Sequence, residues 1–329
     1  MISLKPTSQE EVLAAAQRVK PYVVRTPLIR LNVDVAQTEI YLKMENLQPI
    51  GAFKVRPAAN TILNAALELT TEGVYTASSG NMAQGVAYVA RMLGLAATVL
   101  LPEDAAATKV RSLERLGARI RFLADEKWWQ VLADHGDPGI KGLFIHPVSN
   151  PDVIAGNATV GLEIHEDLPD VDTVLVPFGG GGLSTGIASA LRAAGSNARV
   201  LGSESDHCAP LTAALEAGEP VALPIEASFI SGIGVGHVLD EMWPLIRQMI
   251  DGAVVASTEE IVAAIRLLCE RHRIIAEGAG AAPVAAALAG RAGKGKIVSA
   301  VIVSKRLKNM GWHDQRVFMI RCLCRRSTA

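Results

Sequence analysis

Three features of the 329-residue sequence predict an α/β fold with mostly parallel sheets. Short runs of branched apolar residues alternate with helical patterns almost from end to end, the mark of strand–helix–strand units. Half of the residues are hydrophobic yet only 4% are aromatic, so the core material is Ala, Val, Leu and Ile, which suits helices packed on buried parallel strands. The apolar run Thr173 to Pro177 passes straight into four glycines and then a helix. At roughly 150 residues per domain the length predicts about two domains, and such a chain can bury its core without disulfides or metals.

Taken in order, Gln9 to Val19 reads as a helix and Glu39 to Met44 as a strand. Val55 to Leu69 has helical spacing, Val74 to Ala77 is a short apolar strand, and Met82 to Leu93 is an Ala-rich helix stopped by Gly94. Ala97 to Leu101 is a strand ended by Pro102, Ala105 to Leu116 a helix ended by Gly117, and Arg119 to Leu123 a strand. A short strand at Phe144 to His146 precedes a long helix from Asp152 to Glu166. Strand Thr173 to Pro177, helix Leu183 to Ala193 and strand Arg199 to Ser203 form the next unit. Helix Leu211 to Ala217, strand Ala253 to Ala256, helices Thr258 to Arg271 and Ala281 to Ala289, and strand Ile297 to Val303 complete the series. No repeat or flexible linker marks a domain boundary; the turn-rich stretch Asp134 to Gly142 is where composition offers one.

The formal charge of -1 gives no reason to expect nucleic acid or an anionic membrane as partner. Charge is uneven, however: Lys305 to Ala329 holds seven Lys and Arg against the single acid Asp314. Four scattered cysteines do not make a disulfide framework, and the pair Cys322 and Cys324 lacks a second ligand pair nearby, so both read as ordinary residues. Met1 to Lys20 has no signal-like apolar core and no apolar run is long enough to span a bilayer, which makes a cytoplasmic protein the expectation.

Chemistry concentrates in three loops. Gly179 to Gly182 lie between a buried strand and a helix, where bare backbone N–H groups can converge on an anion beside the positive end of the helix dipole. A flexible linker is the plainer alternative, but linkers do not usually sit between such elements. No Lys-Ser/Thr pair follows the run and no dinucleotide fingerprint is completed, so the phosphate expected there belongs to a smaller cofactor. In Gly51-Ala-Phe-Lys54-Val-Arg56, a lysine enters a helix; alone it reads as a solvated side chain, but a phosphate-bearing carbonyl cofactor needs an amine for a Schiff base. Phe53 beside it could pack on a flat ring or simply belong to the core. Ser78, Ser79, Gly80 and Asn81 end a strand and start a helix, a place for a carboxylate or for plain N-capping.

Taken together, these loops resemble the serine/threonine dehydratase and serine racemase family, pyridoxal-phosphate enzymes of the tryptophan-synthase-β fold. The similarity runs from about Arg18 to Val303 and includes Lys43 to Gln48 leading into Gly51 to Lys54, Ser78 to Asn81 with Ala83 to Val86, Pro102-Glu103, His146-Pro147, Asp152 to Gly156, Gly179 to Leu183 and Glu277 in Ala276 to Gly280. It implies that Lys54 bonds the cofactor and then acts as base at the substrate Cα. Phe53 would pack against the pyridine ring and Asn81 would bond its hydroxyl. Ser78, Ser79 and Gly80 would hold the substrate carboxylate, and Gly179, Gly180, Gly181, Gly182 and Leu183 the cofactor phosphate. Ser304 stands where the family places a serine against the pyridine nitrogen, a neutral partner that favours β-elimination over transamination. Ser79 matches the second acid/base of racemizing relatives.

The resemblance further implies two open twisted α/β domains with the cofactor in the cleft between them. The larger is expected from 1–72 with 147–329, the smaller from 73–146. The implied activity is dehydration and deamination of L-threonine or L-serine to a 2-oxo acid and ammonia, by a homodimer. Amino-acid racemization, or a silent cofactor-binding protein with a recruiting tail, are the alternatives.

The sequence departs from the family pattern in places. Lys305-Arg306-Leu307 follows Ser304 where the family has Gly-Gly-Asn, so two long cations stand where backbone passes close to the cofactor. An altered reading frame or a divergent terminus would account for the basic tail. Met82 stands where histidine is common and Pro57 where glycine is common. Glu204 remains at the family's divalent-cation position, but its usual acidic partner is missing; Asp206 and His207 could substitute, although a surface turn is the simpler reading. The regulatory domain of biosynthetic threonine dehydratases does not follow, so feedback by an end-product amino acid is not expected.

Overall fold

The computed structural model describes residues 4–225, 228–230 and 232–299. Ser304, the cations at Lys305 and Arg306, the basic tail and the cysteines Cys322 and Cys324 lie outside them, as does the end of the last expected strand.

Within these residues there are twelve α-helices and ten strands. The helices are α1 (Gln9–Val19), α2 (Val55–Asn64), α3 (Leu67–Thr71), α4 (Asn81–Leu93), α5 (Ala107–Glu114), α6 (Asp125–Ala133), α7 (Pro151–Asp167), α8 (Gly182–Ala193), α9 (Pro210–Ala217), α10 (Trp243–Met249), α11 (Thr258–Leu267) and α12 (Gly278–Leu288). The strands are β1 (Leu28–Arg30), β2 (Thr38–Lys43), β3 (Val74–Ala77), β4 (Ala97–Pro102), β5 (Arg119–Leu123), β6 (Leu143–Phe144), β7 (Thr173–Pro177), β8 (Arg199–Ser205), β9 (Gly252–Ala256) and β10 (Gly295–Ser299).

They form two sheets: six strands in the order β1-β2-β10-β7-β8-β9, and four in the order β5-β4-β3-β6. Every pairing is parallel except β1 with β2, which places Leu28 opposite Lys43. All strands of the smaller sheet come from between Val74 and Phe144, and the larger sheet takes the rest. Buried parallel strands read as continuous apolar runs rather than alternating ones, and Val174, Leu175 and Val176 of β7 are all inaccessible to solvent.

Several expected elements differ in extent. The helix expected from Val55 to Leu69 breaks at Ala65, which is extended, and resumes as α3. The helix expected through Arg271 leaves the α form after Leu267 for one π-helical turn, Leu268–His272, closed by Arg273 in the left-handed region. Three elements carry no clear pattern in the sequence: the three-residue, largely exposed edge strand β1, the helix α6 and the helix α10. The turn-rich stretch after Asp134 leads into β6 of the smaller sheet.

Helix α2 is the pivot of the site because Lys54 is its N-cap residue. It is clasped by two helices that approach at glycines. A Cβ on Gly85 of α4 would stand 2.6 Å from the Lys54 carbonyl oxygen, and one on Gly156 of α7 would stand 2.5 Å from Pro57 Cα. Pro57 sits in the first turn of α2, where its missing N–H costs nothing. Behind this turn lies a buried ionic cluster. Arg56 bonds both carboxylate oxygens of Glu45 and those of Glu163, and Lys43 bonds Glu163 at 2.6 Å and the Thr26 carbonyl. Burial works against the Arg56 charge, but Glu45 and Glu163 hold it firmly protonated. Burial would likewise raise Glu163, yet Arg56 and Lys43 keep it below its ordinary value.

Candidate active site

Four helix N-termini point into one cavity of about 390 Å³, a size suited to a small ligand. They belong to α2, α4, α8 and α12, entered through Lys54, Ser78 to Gly80, Gly179 to Gly181 and Glu277 respectively. The first N–H groups of a helix have no intrahelical acceptor and carry the positive end of its dipole, so the cavity is built for anions.

Phe53, Lys54, Ser78, Ser79, Gly80, Asn81, Gly179, Gly180, Gly181, Gly182 and Leu183 all line this cavity. Every site residue expected within the described region is therefore brought to one place, apart from Glu204. That carboxylate instead caps α9: it accepts from the N–H groups of Leu211 and Thr212 and from the Thr212 hydroxyl, at 2.7 to 2.9 Å. Asp206 accepts from the N–H and hydroxyl of Thr258.

The middle of the glycine run, Gly180 and Gly181, leaves no room for side chains. Gly181 is left-handed, with φ of 89°, and a Cβ there would stand 2.7 Å from Ile246 Cδ1; one on Gly180 would stand 2.6 Å from Val148 Cγ2. The turn is thus a tight cradle and not a linker. Ser184 and Thr185 hydroxyls both donate to the Gly181 carbonyl, holding that peptide from the helix side.

The Lys54 amine donates to the Pro147 carbonyl at 2.8 Å and lies 5.2 Å from the centre of the Phe53 ring. Burial without an acidic partner pushes its pKa down from 10.5 to about 8. A substantial fraction is therefore neutral near physiological pH, which a nucleophilic amine or a base needs.

At the third loop, Gly80 is the N-cap of α4 and no side chain caps it, so plain N-capping is not what these residues do. The Ser78 hydroxyl accepts from the Gly80 N–H at 3.2 Å. Asn81 donates from its amide to Glu277 Oε1 at 3.3 Å across the cavity. Met82 is 2% exposed and lines the cavity, adding an apolar wall beside the loop.

Lys109 from α5 also lines the cavity and donates to the Ser79 hydroxyl at 3.2 Å. Its sequence context is that of any helical lysine, and only the packing of α5 brings it here. Pro147, part of the His146-Pro147 motif, and Val148, which carries no signal in the sequence, join the lining from the segment between β6 and α7.

Backbone cradle, helix N-termini without an N-cap side-chain bond and a partly buried amine in one cavity are the donor set for a phosphate-bearing aldehyde, so the residues present fit pyridoxal phosphate. Gly179 to Leu183 would hold its phosphate and Lys54 its carbonyl carbon.

Comparison with known proteins agrees with that fit. The family model described as "Pyridoxal-phosphate dependent enzyme" matches residues 19–303. An L-threonine ammonia-lyase of Thermotoga maritima is 39% identical over 298 residues, covering 89% of this chain and 74% of that protein. Among solved structures, maize serine racemase superposes with a TM-score of 0.84 at 29% identity, covering 97% of this chain and 98% of the other. The processed form of threonine deaminase isoform 2 from Solanum lycopersicum superposes with a TM-score of 0.79 at 29% identity, covering 97% of this chain and 96% of the other.

Proposed function

This chain belongs to the pyridoxal-phosphate dependent enzyme family, and from that membership we propose that it is an ammonia-lyase converting L-threonine or L-serine to a 2-oxo acid and ammonia. The observation that carries the reading is the placement of the desolvated Lys54 amine and the Gly179 to Gly182 cradle on one cavity. The similarity to the Thermotoga maritima L-threonine ammonia-lyase supports the substrate class.

Bound here, pyridoxal phosphate supplies an electron sink for the charge that develops at the substrate Cα. The chain's own residues do the rest. N–H groups at the start of α4, with Ser78 and Ser79, hold the substrate carboxylate against the positive end of the helix. Lys54 Nζ, its pKa lowered to about 8 by burial, takes the Cα proton in its neutral form and delivers a proton to the departing β-hydroxyl. Phe53 would pack against the ring and Asn81 would bond its hydroxyl. Ser304 is proposed for the ring nitrogen on the resemblance alone.

A second reading, racemization, draws on the Lys109 ammonium at the Ser79 hydroxyl, which equips Ser79 to exchange a proton with Cα. Chiral analysis of amino acid recovered after partial turnover separates the two.

Also proposed are the division into 1–72 with 147–329 and 73–146, a homodimer on the prevalence of two-fold assemblies, and a cytoplasmic site of action. Among the described residues no helix is long and apolar enough to cross a membrane.

The decisive experiment adds pyridoxal phosphate to purified protein, assays 2-oxo acid from L-threonine and L-serine, and maps the peptide labelled by borohydride. Label on Lys54, with loss of both label and turnover in Lys54→Ala, is the expected result. Label elsewhere, or binding without turnover, would overturn it.

A further inference from the structure

The segment 146–149 touches both halves of the cofactor site. Its Pro147 carbonyl accepts the Lys54 amine at 2.8 Å. Val148 packs under the glycine run: its Cγ2 lies 2.6 Å from where a Gly180 Cβ would stand, and its carbonyl oxygen 3.0 Å from that of Gly182. A shift of this turn therefore moves the acceptor of the lysine and the floor of the phosphate cradle together.

A polar lock, made of residues that do not line the cavity, holds the turn. His146 is 3% exposed, and its Nδ1 accepts from the Ser149 N–H at 2.8 Å and the Val148 N–H at 3.2 Å. Burial, with His135 and Lys54 nearby, lowers His146 to about 3, so its ring stays neutral and keeps the lone pair that these N–H groups use. The fully buried Ser149 hydroxyl donates to Glu241 in a short hydrogen bond. Glu241 also meets His135 Nε2 at 2.8 Å, and the His135 ring stacks on His146 with centres 4.6 Å apart. His135 follows α6 of the smaller sheet's segment and sits in the left-handed region with φ of 54°, a position that a non-glycine residue takes at a cost. Glu241 comes from just before α10. The lock therefore spans the chain from the smaller sheet's segment to the larger sheet's.

Donor atoms of His135, His146 and Glu241 lie within 4.8 Å of one another, a spacing that could suit a metal ion. The geometry argues otherwise. Metal-bound histidines usually donate from their second ring nitrogen, whereas His146 Nδ1 accepts. The two ring planes, stacked 20° apart, do not aim two lone pairs at one point.

We propose that Glu241, acting through Ser149 and supported by His135, is a positioning residue that locks the His146 to Ser149 turn and so sets the catalytic lysine and the phosphate cradle in register. The proposal rests on the pyridoxal-phosphate reading above. It gives separate expectations for the two ligands, because the amino acid is held by the Ser78 to Asn81 loop, which this turn does not form.

The test compares Glu241→Ala, Glu241→Gln and Ser149→Ala with wild type. Each is measured for the Kd of pyridoxal phosphate by absorbance titration of apoprotein, for kcat and KM on L-threonine, and for thermal unfolding. Glu241→Ala and Ser149→Ala should weaken cofactor binding about 10-fold, the size of one charge-assisted hydrogen bond, and lower kcat at saturating cofactor with KM unchanged. Glu241→Gln keeps an acceptor for the Ser149 hydroxyl and should restore both values. Wild-type Kd and kcat in Glu241→Ala and Ser149→Ala would overturn the lock while leaving the enzyme assignment intact. So would a lowered unfolding temperature with unchanged Kd and kcat, which marks a merely structural contact. A wild type that takes up no pyridoxal phosphate would overturn both readings.

Discussion

Gly85→Ala is a stringent probe of the site because it adds one methyl group against backbone that cannot swing aside. The new Cβ would stand 2.6 Å from the Lys54 carbonyl oxygen, 2.9 Å from its carbon and 3.3 Å from the Val55 nitrogen, where ordinary contact begins at 3.4 Å. Overpacking of this kind costs about 1–3 kcal/mol. Alanine in a helix interior returns roughly 1 kcal/mol of that, so the protein should remain folded. Relief requires α4 and the start of α2 to part by about 0.8 Å, the shortfall of the 2.6 Å contact from 3.4 Å, carrying Lys54 with them. Misplacement of a reacting group by about 1 Å costs on the order of 100-fold. The expected outcome is therefore a fall in kcat for L-threonine of that order, with unfolding shifted only modestly. Release of 2-oxo acid gives the rate, and calorimetry gives the stability. A kcat within about threefold of wild type, a barrier change below about 1 kcal/mol, would refute the claim that this contact sets the lysine.

The lowered pKa of Lys54 gives a second outcome. The neutral amine is the reactive form, so attachment of pyridoxal phosphate to apoprotein should speed up with pH and level off above about 8. A rate still climbing beyond pH 10, as an unperturbed lysine requires, would sink the desolvation argument. Gly181→Ala forces a side chain into left-handed backbone and should weaken cofactor binding about 10-fold or more; an unchanged Kd by absorbance titration counts against the cradle. Arg56→Met leaves Glu45 and Glu163 buried without their shared cation and should destabilise the fold by about 3–5 kcal/mol in a denaturant titration. A loss below about 1 kcal/mol, the size of an exposed ion pair, would show the cluster to be dispensable.

How much was legible follows the range of the interaction. The β7–glycine–α8 turn reads locally because its cause is local: an apolar strand must stop, and no side chain fits at Gly180 or Gly181. The lysine loop and the Ser78 to Asn81 loop read well for the same reason, each being a strand or coil entering a helix. Strand β1 carries no such sign, since three residues at an exposed edge bury too little to impose a pattern. Glu204 stands where the family resemblance pointed to a cation, but its carboxylate caps α9, a partner seven residues away that a motif does not reveal.

The sequence by itself determined the α/β class, the order of most elements and the places of Lys54 and of the Gly179 to Gly182 run at the entrances to helices, because backbone sterics and apolar periodicity act within a few residues. Only the tertiary structure decided that α5 delivers Lys109 to Ser79, that Glu241 reaches the turn beneath the cradle, and that burial lowers the pKa of the Lys54 amine. Desolvation is a sum over everything packed around an atom, and those neighbours come from distant parts of the chain. No window of sequence contains that sum.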